Sequence, residues 1–327
     1  MKSRSAAIDA LRVVGIVAVV AGHVWSNDLA RELLFSWHVP LFFVLSGYLW
    51  TRGRTVLDES RNRWRTIGVP YVAWLVIIAI PVLWLTAIQG AGFWQQVVRI
   101  VLGGAYIGRP FSAFWFMTAL IIACVLFRGL ERFPRPVAWL VAAAGIVACT
   151  FAPGIVSSAP LSAGVAIAAL VFVLAGQWVR ARRDRLRHPV LIAFGLLVVC
   201  AALIGTGVSR PLDMKQADLG TPVLSVLVAV AICTALILLA EAAFAQRAGT
   251  IPAVTVELAV VGTAVVLTHA VVLWVMRTPA DGTWLDFVLA VTIPWVGALV
   301  IARTPLSRYL VGIPRRQRPS NAPSSNP

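Results

Sequence analysis

Apolar stretches of about 18 residues or more recur along this chain, separated by short polar segments rich in arginine. The alternation of period two that marks an outer-membrane barrel is absent. The pattern predicts an all-α polytopic membrane protein of about ten transmembrane helices. The segments run over residues 8–27, 33–50, 67–87, 112–128, 137–152, 161–178, 190–207, 222–243, 257–276 and 285–302. The fifth and sixth are the shortest, and Pro153 and Pro160 bracket the turn between them. Residues 88–111 are longer and more mixed than a simple loop. Phe93 to Leu102 within them predict an interfacial or re-entrant helix, with Trp94 and Arg99 at headgroup level.

Composition agrees with the pattern. Of 327 residues 60% are hydrophobic and 13% charged, against about 25% charged in a soluble protein. A net charge of +15 raises nucleic acid as a partner. The arginines, however, lie in short loops between apolar segments, which is the charge bias of membrane topology, and no nucleic-acid role is expected. With the N-terminus inside, 22 of the 28 lysines and arginines fall on the cytoplasmic side, leaving Arg31, Arg99, Arg109, Arg210, Lys215 and Arg277 outside. That asymmetry predicts an even number of spans with both termini cytoplasmic, in the cell (plasma or inner) membrane. Residues 1–313 then form the transmembrane domain, and 314–327, rich in Pro, Ser and Asn, a disordered cytoplasmic tail. Arg12 interrupts what would be the apolar core of a cleavable signal peptide, so none is expected. Cys124, Cys149, Cys200 and Cys233 sit inside apolar runs without metal-ligand spacing; neither a disulfide nor a metal is expected.

Polar chemistry concentrates between Asp9 and Arg52. Ionisable groups inside a bilayer are costly and mark function by default. Arg12 and His23 lie eleven residues apart, about three helical turns or roughly 16 Å, with an angular offset of about 20°, so they share one helix face. Asp9, one turn before Arg12, can pair with it, which is also the plain reading of a helix-end salt bridge. His38 and His269 each fall roughly 18 Å deep by helical rise, close to the level of His23. Any one of them alone reads as a hydrogen-bonded structural histidine. Three of the chain's four histidines in one layer instead point to a catalytic set, because an unpaired imidazole in a bilayer is costly. His188, in a basic loop before Pro189, reads as solvated. Ser46-Gly47 allows close approach of a ligand or a second helix, and the serine lacks the surroundings of a nucleophile elbow. Arg52 by position alone belongs to the inner basic cluster.

These residues resemble a family. Arg12 with His23, and Phe42-Phe43-Val44-Leu45-Ser46-Gly47-Tyr48-Leu49-Trp50-Thr51-Arg52, are similar to the Arg-x10-His and Phe-Phe-x-x-Ser-Gly-Phe-x-x-x-Arg motifs of the acyltransferase 3 family, with Tyr48 replacing the second aromatic. His38-Val39-Pro40-Leu41, Trp115-Phe116 and Leu267-Thr268-His269 also resemble positions of that family. The resemblance implies an enzyme, an O-acyltransferase of the stand-alone type without a fused hydrolase-like domain. It would move an acyl group, usually acetyl, from cytoplasmic acyl-CoA to a hydroxyl of a surface-destined glycan, glycolipid or secondary metabolite. It implies no permanently bound cofactor, acyl-CoA as co-substrate, and a glycan or lipid-linked sugar acceptor beside membrane lipids.

Within that expectation Arg12 and Arg52 hold the donor's phosphates and Ser46-Gly47 line its pantetheine path. His23 is the general base, and His38 or His269 orients it or stabilises the oxyanion. A covalent acyl-histidine stays open. The main alternative is a ten-helix secondary transporter with a histidine proton relay, disfavoured by the lack of a repeat and of paired broken helices. A non-catalytic scaffold leaves the histidine layer unexplained.

Overall fold

The computed structural model describes residues 5–245 and 250–315; nearly all of the expected tail over 314–327 lies outside them, as do Lys2, Arg4 and Arg247. Among the described residues the fold is helical, with only two isolated bridges, Trp25–Asp281 and Asp213–Asp218. Six helices are long and apolar enough to cross a membrane, or seven if one bent pair is a single span. Of these, α1 is Ala6–Val24, α2 Asp28–Tyr48 and α3 Val56–Ile88. A separate helix, α4 (Phe93–Leu102), occupies the expected interfacial segment. Then come α5 (Phe114–Leu130), α6 (Arg135–Phe151), α7 (Pro160–Arg185), α8 (Pro189–Gly205) and α9 (Leu224–Phe244). The bent pair is α10 (Thr250–Val260) with α11 (Gly262–Val275), and α12 is Trp284–Ile301. Helices α5, α6 and α8 are apolar but have 17 residues each, a rise of about 26 Å against a hydrocarbon core of about 30 Å.

Outer surface and core are formed by different helices. Helices α3, α6, α8 and α12 expose large apolar side chains such as Trp84, Phe151, Val198 and Val296, an outer surface suited to lipid. The centre is held by α1, α2, α5, α7, α9 and α11. Where α2 crosses α7 the contact is backbone on backbone: a Cβ on Gly47 would lie 1.9 Å from the Val173 carbonyl oxygen, and one on Gly176 would lie 2.0 Å from that of Val44. Paired small residues permit this closeness between membrane helices.

Three segments depart from expectation. Helix α3 begins at Val56 rather than near residue 67, because Thr55 and Asp58 form a capping box, with the Asp58 amide donating to Thr55 Oγ1 at 3.1 Å. Its arginine-rich first turns are tolerated because Glu59, 1% exposed, accepts from Arg63 at 2.7 Å and from Arg128 at 3.4 Å. Pro70 lacks the N–H that the Thr66 carbonyl would receive, and the helix widens to a π-turn over Trp64–Gly68. Gly312 packs on that carbonyl with a φ of 81°, where a Cβ would come within 2.3 Å of it. Helix α2 starts earlier than residue 33, and a π-turn at Arg31–Phe35 and a turn over 36–39 precede Pro40. The ninth segment is not one rod: α10 and α11 meet at 63° across Val261. Ile16 of α1 fills the bend, its Cδ1 2.4 Å from where a Cβ on Gly262 would stand.

Candidate active site

Helix α1 carries both ends of the site. In its first turn Asp9 is buried and pairs with Arg12 at 3.0 Å. Arg12 nevertheless reaches a cavity of about 330 Å³ lined also by Ser46, Arg63, Thr66, Thr263 and the backbone around the α10–α11 bend. Three turns on, His23 lines a second cavity of about 220 Å³ together with His38, Trp115, Arg31, Asp213 and Lys215. Phe116 borders both cavities and its ring packs on Phe42 at a centroid distance of 5.3 Å. Gly15 makes room for that contact, since a Cβ there would meet Phe42 Cζ at 2.9 Å.

The histidines that the depth argument placed in one layer meet. The rings of His23 and His269 lie 5.1 Å apart between centroids, tilted by 39°. His38 shares the second cavity with His23. Gly22, one residue before His23, faces the same group: a Cβ there would stand 3.2 Å from Phe35 Cε2 and in ordinary contact, at 3.8 Å, with His38 Nε2. Two tautomers follow from the backbone. His38 Nδ1 is 2.6 Å from the Leu34 carbonyl oxygen and His269 Nδ1 is 3.2 Å from that of Val265. A carbonyl only accepts, so each Nδ1 carries the proton and each neutral ring presents Nε2 as a lone pair. His269 is fully buried and its Nε2 has no partner among the described residues.

Two donor-site expectations need correction. Arg52 does not reach the Arg12 cavity; it borders separate grooves with Glu131, Arg135 and Arg182, and with Arg54 and Arg128. The chain turns away after Tyr48, whose hydroxyl donates to Glu241 and accepts from Arg183, tying the C-terminal end of α2 to α7 and α9. Gly47 does not line the cavity either, because its free face is filled by Val173. Ser46, on the adjoining face, does line it.

Three residues went unread in sequence. Arg63 faces the Arg12 cavity, held by Glu59 one turn earlier; their i, i+4 spacing was the available signal. Arg109 donates to the backbone carbonyls of His23 and of Thr278, the latter at 2.5 Å. Lys215 Nζ donates to the Ile107 carbonyl at 2.5 Å and borders the histidine cavity. Loop cations of this kind carry no periodicity that would single them out. The four cysteines are free and buried.

A helical membrane protein with a histidine cluster on one of two neighbouring internal cavities is the class that fold and site define. The chain belongs to the acyltransferase 3 family: the family model described as an acyltransferase domain matches residues 5–307 of 327. That membership makes it a membrane acyltransferase. No curated protein and no solved structure gives a match.

Proposed function

We propose that the chain transfers an acyl group, in the first instance acetyl, from cytoplasmic acyl-CoA to a hydroxyl of a surface-destined glycan, glycolipid or secondary metabolite. One observation supports this above the others: His23 and Arg12, on one face of α1, border two cavities with the Phe116 ring between them. In this reading the three 17-residue helices also cross the cell membrane. That gives ten spans for the domain over 1–313, with both its ends in the cytoplasm.

The Arg12 cavity then opens inward. Arg12 and Arg63 receive the phosphates of coenzyme A through charge-assisted hydrogen bonds, and Ser46 lines the path of its pantetheine arm. The acceptor occupies the histidine cavity. Its hydroxyl oxygen attacks the thioester carbonyl carbon while His23 takes the hydroxyl proton. The tetrahedral intermediate collapses with cleavage of the C–S bond, and the departing thiolate recovers the proton from His23. His38 and His269, presenting Nε2 lone pairs, pack around His23 and position it; in that tautomer neither donates to an oxyanion.

The test is transfer of labelled acetyl from acetyl-CoA, supplied at the cytoplasmic face of membrane vesicles, to endogenous acceptor. The wild-type chain should transfer label, and His23→Ala should lose about 10² to 10⁴ in rate. Full transfer by His23→Ala removes the general-base assignment, and no transfer by the wild type removes the reading. The bend between α10 and α11 is the one feature that suits a transporter with a histidine proton relay. It has no counterpart in a second half of the chain among the described residues. Uptake of solute into proteoliposomes without any acyl donor would favour the transporter.

A further inference from the structure

The histidine cavity is charged, and its charge is lopsided. Arg31, Asp213 and Lys215 are the charged side chains on its wall beside the histidines. Arg31 and Asp213 pair at 3.6 Å, both partly exposed. Lys215 is left over. Its ammonium spends one donor on the Ile107 carbonyl, and no carboxylate pairs with it among the described residues. Burial draws the Lys215 ammonium below the usual lysine range, with Asp213 opposing that shift.

Its position is built rather than incidental. Lys215 sits in a single 3₁₀ turn, Met214–Gln216, closed by the Asp218 amide donating to the Asp213 carbonyl at 3.0 Å. The flanking Leu212, Met214, Ala217 and Leu219 are all buried, so the turn is anchored in the core instead of lying on the surface. A half-buried cation held in this way is costly unless a counter-charge arrives.

Three carboxylates of the neighbouring loops have partners of their own. Asp281 accepts from the Ser26 and Asn27 amides at 2.9 and 3.0 Å, Asp286 from Thr278 and Thr283, and Asp218 from the Gly220 amide at 2.8 Å. The same end of the molecule carries Arg109, whose guanidinium is spent on backbone carbonyls. The positive-inside bias does not call for a lysine at this end, because it enriches the opposite side.

We propose that the acceptor brings an acid group, a carboxylate or a phosphate, close to the hydroxyl it gives up, and that Lys215, with Arg31 at the cavity edge, receives it. The inference rests on the acyl-transfer reading for the word acceptor, but the anion site is testable without turnover. The probes are methyl glucuronide for a carboxylate, glucose 1-phosphate for a phosphate and methyl glucoside as the neutral sugar. Thermal stability of the purified protein in nanodiscs is read first, and acetyl transfer from acetyl-CoA second.

At least one anionic probe should stabilise the wild type while methyl glucoside does not. Lys215→Gln, which keeps an N–H for the Ile107 carbonyl, should lose that stabilisation, and Lys215→Arg should retain it. The comparison of the two anionic probes identifies the acid. In transfer, the anionic probe should exceed the neutral one by about tenfold or more in kcat/KM, the scale of a charge-assisted contact, and Lys215→Gln should abolish the preference. Stabilisation without transfer to any probe upholds the anion site and counts against the acyl-transfer reading. Equal stabilisation by the neutral sugar, no stabilisation by either anion, or an anion effect unchanged in Lys215→Gln overturns the inference.

Discussion

At the scale of single residues, the positions proposed for donor binding and proton transfer, Arg12 and His23, lie at opposite ends of one helix, and the two ends make different demands on their partners. Arg12 is neutralised by Asp9 at 3.0 Å, so a polyphosphate reaching it needs a second cation. Arg63 supplies one from the same cavity, because its partner Glu59 is shared with Arg54 and Arg128 and leaves that cluster net positive, whereas Arg52 lies on other grooves. Arg63→Ala should therefore raise KM for acyl-CoA about tenfold or more, on the scale of roughly 1.5–3 kcal/mol for a hydrogen bond to a charged group. Arg52→Ala should change it far less. Initial rates against donor concentration separate the two, and the opposite ranking would return the phosphate site to Arg52. The meeting of His23, His38 and His269 was legible in sequence because helical rise converts position into depth. Arg63 was not, since it stands in the run Arg61, Arg63, Arg65, which any inner loop of a membrane protein can carry. Lys215 and Arg109 were hidden for a different reason: their roles depend on how loops fold back, and a loop has no period.

Among elements, the crossing of α2 and α7 carries the most constraint. It fixes Ser46 toward the inner cavity by pressing Gly47 onto Val173. Gly47→Val places its Cβ 1.9 Å from a backbone oxygen, so the helices must part. A loss of about 1–3 kcal/mol or more is expected, the usual cost of overpacking, visible as a lower Tm in detergent. Gly195→Ala in α8, where a Cβ meets nothing within 4 Å, should leave Tm unchanged or slightly raised. Equal losses at the two positions would mean that the crossing is not the tight point. The small residues of this crossing were visible in sequence, but Gly47 read equally well as a ligand contact. The partner decides, and α7 is far away along the chain. The bend between α10 and α11 had no herald at all. No proline occupies Val261 or Gly262, and what accompanies the bend is a tertiary contact, Ile16 of α1 packed against Gly262. The early start of α3 had a signal in Thr55 and Asp58, overridden in reading by the density of arginine that follows.

For the whole molecule, the arrangement that makes sense of both cavities is one with Arg12 inside and His23 toward the outside. Cysteine labelling reads this directly, because the native cysteines are all buried. An impermeant maleimide should label Gly108→Cys, at an open position before α5, from outside intact cells. Asp184→Cys, 82% exposed as a side chain, should react only after permeabilisation. The reverse result would invert the protein and exchange donor and acceptor sides.

One feature of the interior bears on the membrane itself. The cavities of about 330 and 220 Å³ lie toward opposite ends of α1, and the Phe116 ring, packed on Phe42, forms part of the wall of both. Imidazoles pass protons readily, so a continuous wet path through the histidine cluster would short-circuit the proton gradient across the bilayer that houses it. The acyl-transfer reading therefore asks the phenyl ring to insulate as well as to pack. Phe116→Ala should make vesicles containing the protein dissipate an imposed pH gradient faster than vesicles with the wild type, in the complete absence of acyl-CoA. A variant that stays proton-tight would place the insulating layer elsewhere in the fold.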